Sequence, residues 1–178
     1  MDNLIVIGDF NNPYLPYAGA DSAAYLNDII TQYQKPILTQ ILGEVEYNNF
    51  NDDLTGIVPG STEWEYFLDG TTYVHDSVSY VFPGIKPILT KFMFYYWQRD
   101  TVNDLAETGQ LKKNLLNASQ VIPAHKMTAA YNDSVDEIIN VREYSPTVYH
   151  FMNHMQDDND YFPDWDFTTF IKINIFNL

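Results

Sequence analysis

The 178-residue sequence contains no cysteine. Disulfides, cysteine-ligated zinc and thiol nucleophiles are thereby excluded. Cationic side chains are scarce: Lys and Arg number 9 against 24 Asp and Glu, a net charge of −15, with a pI near 4.2. A surface that grips nucleic acid needs clustered cations on its phosphates, and Lys112-Lys113 is the only adjacent basic pair. Long apolar runs are missing as well; Phe92–Trp97 falls far short of the roughly 20 residues that cross a membrane. The opening MDNLIVIGDF has a short apolar run and no basic region, so no signal peptide is expected, and synthesis in a cytoplasm is. The glycines are scattered and build no GxGxxG, P-loop or GxSxG pattern.

What the chain does have is apolar and aromatic: 46% hydrophobic residues and 16% aromatic ones. That suffices for a real core in one domain, or one domain with arms. The organising stretch is Ile85–Asp100, IKPILTKFMFYYWQRD. Pro87 fits a first helical turn, where its missing N–H has no partner to lose. From Phe92 onward the helix is apolar nearly all round, so it must be covered on several sides. A plain core helix satisfies this. The aromatic excess also suits contact with another copy or partner, with Phe94, Tyr95 and Trp97 as interface candidates.

Before this helix, Leu4–Ile7 reads as a short strand, and Gly8–Ala20, with Asn11-Asn12-Pro13 and Leu15-Pro16, as an irregular arm. Asp21 or Ser22 caps a helix whose stripe is Leu26, Ile30, Tyr33, Ile37 and Ile41. Pro36 should kink it and Gly43 should end it. Glu44–Gly60 is acidic and turn-rich, and reads as a solvated loop rather than a calcium loop. Ser61 or Thr62 opens a short helix with Trp64, Phe67 and Leu68. Thr71–Phe82 reads as a β-hairpin turning at His75-Asp76-Ser77. The pentapeptide Lys-Pro-Ile-Leu-Thr occurs at 35–39 and again at 86–90, but its flanks do not repeat.

After the central helix and a turn at Thr108-Gly109, Pro123 opens a helix to about Tyr144, with Met127, Tyr131, Ile138 and Arg142 on one face. Ser145 caps a last helix over Val148, Phe151, Met152 and Met155, and Asp157–Asp160 stops it. Beyond lies an aromatic tail with interface candidates Tyr161, Phe162, Trp165 and Phe170. The alternation of Ile171, Ile173 and Ile175 predicts a terminal strand, paired with Leu4–Ile7 or added to a neighbour's sheet. Deleting residues 161–178 is expected to leave the helical core folded and to prevent assembly.

The fold class expected is therefore mainly α: a helical bundle around the aromatic helix, with a small hairpin. Its parts are an N-terminal arm (1–20), a core (21–156) and a C-terminal arm (157–178). Chemistry is harder to find. His150 and His154 stand four apart on one helical face, a spacing that can hold zinc. No HExxH glutamate accompanies them, and a third ligand would have to come from elsewhere, such as Asp157 or Asp158. His75 and His125 read as turn and helix-start residues. No carboxylate pair singles itself out as acid and base, so no enzyme and no cofactor are expected.

The run Tyr25-Leu26…Tyr33-Gln34-Lys35-Pro36-Ile37-Leu38…Leu42-Gly43 resembles the opening helix of tailed-phage head-to-tail connector proteins, including those of crAss-like and other Bacteroidota phages. Trp64…Phe67-Leu68-Asp69-Gly70, Pro83-Gly84-Ile85-Lys86…Leu89…Phe92-Met93-Phe94-Tyr95-Tyr96 and Ala130-Tyr131-Asn132 continue the likeness over about residues 22–145. The resemblance implies a non-enzymatic virion protein of the neck. It would form a ring, often of twelve copies, between the portal protein and other neck and tail proteins, with genomic DNA passing through unbound. An acidic channel wall would repel that DNA. A tail-completion or other neck component is the alternative within the same class. A small acidic binding module or hydrolase using His150 and His154 is the alternative outside it.

Overall fold

The computed structural model of the chain describes residues 2–11, 20–107, 123–139 and 146–173. It is mainly α, with small antiparallel hairpins. In order come a 3₁₀ turn (Ile7–Asp9), α1 (Ala20–Asp53), β1 (Leu54–Thr55), β2 (Val58–Pro59), α2 (Thr62–Asp69), β3 (Thr71–His75), β4 (Val78–Phe82), α3 (Lys86–Glu107), α4 (Pro123–Ile139) and α5 (Val148–Asn159). No described helix is long and apolar enough to cross a membrane.

Helix α3 begins where Pro87 allows it to, and it is the centre of the packing. Ile88, Leu89, Phe92, Met93, Phe94, Tyr95 and Trp97 are all buried. Helix α1 covers one side and α4 another, and α5 packs in turn on α4. The apolar girth is thus met by the chain's own elements. Tyr131 of α4 meets Phe92 edge-on at 5.3 Å. On the α1 side Tyr33 stacks flat on Tyr96 at 3.9 Å, with the Arg99 guanidinium 4.8 Å from the Tyr96 ring and donating to the Tyr33 hydroxyl.

Helix α1 departs from the sequence reading. Pro36 lies within a helical stretch, and the break falls at Gly43 (φ 77°, ψ 166°). One lost backbone bond at Pro36 is offset by burial of Ile37, Leu38, Ile41 and Leu42 on the same face. Past Gly43 the chain turns helical again rather than looping, because Tyr47 and Phe50 have a core to enter. The supposed solvated aspartates have a structural use: Asp53 accepts from Gly60 N–H at 2.8 Å and Ser61 N–H at 3.0 Å, closing the β1–β2 hairpin. Ser61 is the N-cap residue of α2, without a side-chain capping bond. Asp21 and Ser22, proposed as caps, instead fall inside α1, which already begins at Ala20. The cap proposed at Ser145, the turn at Thr108-Gly109 and the segment around Arg142 lie outside the described residues; α5 is capped by Thr147, whose hydroxyl accepts from His150 N–H.

Neither end behaves as a separate arm where it is described. Leu4–Ile7 is not a strand: Leu4, Ile5 and Phe10 are buried in the core. The segment is pinned by buried Gln34, which accepts from Leu4 N–H at 2.8 Å and donates to the Asp2 carbonyl at 3.1 Å. Residues 161–173 cross α1 at its break. The Trp165 indole N–H donates to the Ile41 carbonyl at 2.9 Å, and Asp164 N–H to buried Glu46 at 2.9 Å. Gly43 permits the crossing, since a Cβ there would lie 2.8 Å from the Asp166 carbonyl oxygen. Residues 171–173 form no strand, and Ile175 lies outside the described residues. The Asn132 amide takes the place of a neighbouring strand, donating to the Ile173 carbonyl at 3.0 Å and accepting its N–H at 2.8 Å.

The β3–β4 hairpin joins the body through two glycines set back to back. Gly70 (φ 93°) and Gly84 (φ 82°) both need the left-handed region, and a Cβ on Gly84 would fall 2.7 Å from the Gly70 nitrogen. Gly70→Ala or Gly84→Ala is expected to lower unfolding free energy by about 2 kcal/mol or more in urea titrations. Phe170, 3% exposed and 5.5 Å from Phe92, is part of the core. Contrary to the reading from sequence, then, truncation at residue 160 should destabilise the fold, and Phe170→Ala should cost about 3 kcal/mol by the same titration.

Candidate functional site

Alternation along the hairpin decides which side chains meet α5. The register pairs Thr71 with Phe82, Tyr73 with Tyr80 and His75 with Val78, and strand periodicity puts these on one face. Asp76 and Ser77 (φ 50° and 66°) make the two-residue turn between them. Phe82 stacks on Phe151 of α5 at 4.2 Å, and Tyr73 meets Phe151 edge-on at 5.7 Å. Four residues apart on α5, His150 and His154 both turn toward this apolar floor.

The result is a cluster of three imidazoles and two phenols. The His75 ring lies 5.5 Å from that of His150 and 5.1 Å from that of His154. Tyr73 stacks on His154 at 4.6 Å, and Tyr80 leans on His150 at 4.8 Å. The Tyr73 hydroxyl is 2.5 Å from His150 Nδ1. Burial pushes the Tyr73 phenol well above its ordinary value, with Tyr80 adding to the shift. The phenol therefore keeps its proton, and the direction of its bond follows the His150 tautomer: the hydroxyl donates to a bare Nδ1 and accepts from a protonated one. Burial also lowers the His150 pKa below the usual histidine value, and neighbouring His75 and His154 lower it further.

His150 and His154 thus share a face as the sequence implied, but His154 is buried rather than at the surface. Among the described residues no group of three His, Asp or Glu is placed to hold a metal ion. His75 joins the pair from the hairpin, which the sequence reading took for a simple turn residue. Tyr73, His75 and Tyr80 fall on one face once the strand register is known, but no local pattern says that this face meets α5. His125 stays exposed at the start of α4.

The proposed interface residues fare unevenly. Phe94, Tyr95, Trp97, Phe162 and Phe170 are buried by the chain itself. Tyr161 and Trp165 are partly buried against the core. Ile173 is held by Asn132, and Ile171 stands 80% exposed. Other exposed apolar side chains among the described residues include Val58 at 64% on β2, and Val74 at 62% and Val81 at 66%, which share the outer face of the β3–β4 hairpin. A separate groove of about 670 Å³ runs beside Lys35, Gln40, Glu44 and Asp166; its walls are mixed in charge and hold no catalytic constellation. No family model matches the chain, and no curated protein or solved structure matches it either.

Because the folded state depresses the His150 pKa, the unfolded chain binds that proton more readily. The neutral His150 contribution is complete above the ordinary value of 6.5 and is lost as pH falls through that value toward the folded pKa. In an NMR titration His150 should protonate below the ordinary histidine range. His75→Gln should move it upward by removing one neighbouring charge.

Proposed function

We propose that the chain is a non-enzymatic structural subunit that assembles with copies of itself, and that its place is the neck of a tailed-phage particle, between portal and tail. The observation that carries the assembly reading is the outer face of the β3–β4 hairpin. Thr72, Val74, Ser79 and Val81 are uncharged and exposed, and β3 and β4 pair only with each other among the described strands. A two-stranded hairpin with both edges open is stable only when something covers or holds it. On a chain of net charge −15, a second copy is repelled across most of the surface. An uncharged, valine-bearing face is where two such copies can approach.

The neck assignment draws its support from the resemblance to connector proteins. An acidic ring wall is compatible with it, since it would let DNA pass without sticking. The corrections to the two ends narrow the reading. The described parts of the N- and C-terminal segments are occupied by the chain's own core, so the hairpin takes over the role first given to them.

Sedimentation velocity across a concentration and salt series tests this. Self-association should strengthen as salt of about 0.5 M screens the shared charge. Val74→Asp/Val81→Asp should remain folded by circular dichroism and stay monomeric. A wild-type chain that is monomeric throughout, or a double variant that associates as well as wild type, would count against the proposal.

A further inference from the structure

Both halves of α1, before and after the break at Gly43, line one cleft of about 270 Å³, and Asn3 lines it from the N-terminal segment. Gln34, 3% exposed, holds that segment in place. It spends its carbonyl on Leu4 N–H and one N–H on the Asp2 carbonyl. A carboxamide carries two N–H groups, and the second on Gln34 has no acceptor among the described residues. Thr31 donates to Asn3 Oδ1 at 3.2 Å, which leaves the Asn3 amide nitrogen to the cleft. The side chains of Asn48 and Asn51 make no hydrogen bond with the described residues. The cleft is also short of negative charge. The chain carries 24 carboxylate side chains, yet among the described residues none lines this cleft. Lys86, Lys91, Arg99 and Lys172 each pair with a carboxylate. Lys35 pairs with none among the described residues; its ammonium stands 5.5 Å from the Tyr47 ring. Asp2 lines the adjoining recess, which shares Asn51, and Glu44 and Asp166 line the separate groove that Lys35 also borders.

We propose that this cleft binds a small hydroxyl-bearing monocarboxylate, of the sugar-acid class, with Lys35 on its carboxylate and the asparagines on its hydroxyls. One lysine offsets one negative charge. A doubly charged phosphate would meet the field of a chain of net charge −15 with no second cation in the cleft to hold it. Carboxamides donate and accept at once, so Asn3, Asn48 and Asn51 match neighbouring hydroxyls, each of which does the same. The volume lies just below the usual ligand cavity of roughly 300–1,000 Å³, and suits one sugar ring rather than a chain of them. The Gln34 and Thr31 bonds set the walls before any ligand arrives, which lowers the ordering cost of binding. The site stands apart from the β3–β4 hairpin and does not rest on the assembly reading.

The test is an NMR titration of the isotope-labelled chain with glucuronate at fixed ionic strength, with glucose and acetate as controls. Glucuronate should give saturable shifts at the Asn48 and Asn51 side-chain amides, with a Kd of about 1 mM. Glucose lacks the charge and acetate lacks the hydroxyls, so each should bind about tenfold more weakly or not at all. Lys35→Met should weaken glucuronate binding about tenfold, and Asn48→Ala about threefold. Both residues are exposed, so both variants should keep the wild-type circular dichroism. The absence of saturable shifts at about 50 mM glucuronate, well above that Kd, would overturn the proposal. So would glucose or acetate binding as well as glucuronate, or a folded Lys35→Met chain that binds as wild type does.

Discussion

Everything described in this chain follows from the need to keep the middle of α3 dry. Phe92, Met93, Phe94, Tyr95 and Trp97 leave no polar stripe for water to wet. One helix partner cannot cover such a girth, so α1 and α4 take opposite sides and the segment around Phe170 adds to the cover. Each covering element is amphipathic in the ordinary way, with its own polar face outward. The N-terminal residues follow the same logic: Leu4 and Ile5 fill space beside α1, and Gln34 satisfies the backbone that comes with them. Several polar groups drawn toward this interior bring partners. Arg99 reaches the Tyr33 hydroxyl and Asp100, and Lys91 pairs with Glu137 across the α3–α4 seam.

The hairpin is the exception to this economy. It contributes Tyr73 and Phe82 to the interior, while Val74 and Val81 on its outer face stay exposed. The face that meets α5 and the exposed valine face are the two sides of the same small element, joined to the body through one pair of glycines.

The sequence reading was strongest where local chemistry is self-sufficient. Pro87 and the residues behind it marked α3, Trp64, Phe67 and Leu68 marked α2, and the alternating strands around Asp76-Ser77 marked the hairpin. It failed where a distant partner decides. Glu44–Asp53 looks like loop until Tyr47 and Phe50 are given a core. Ile171 and Ile173 look like strand until Asn132 supplies both hydrogen bonds that a neighbouring strand would. Of the site, the His150/His154 face was legible as an i, i+4 spacing. His75 was not, because nothing local says that the hairpin folds down onto α5.

The repeated pentapeptide shows the division in one comparison. In both copies the Ile and Leu are buried and the Pro is exposed, and that much the sequence determined, through helical spacing and hydrophobicity. Yet Pro87 opens its helix, whereas Pro36 sits inside one that continues to Gly43. Tertiary structure made that choice, because the apolar residues on either side of Pro36 gain more by staying in register with α3 than the missing hydrogen bond costs. The same holds for the whole chain. Composition and period settled that it would be helical, acidic and built on one aromatic helix. Which ends would fold back, and which histidines would meet, depended on long-range contacts that no local pattern encodes.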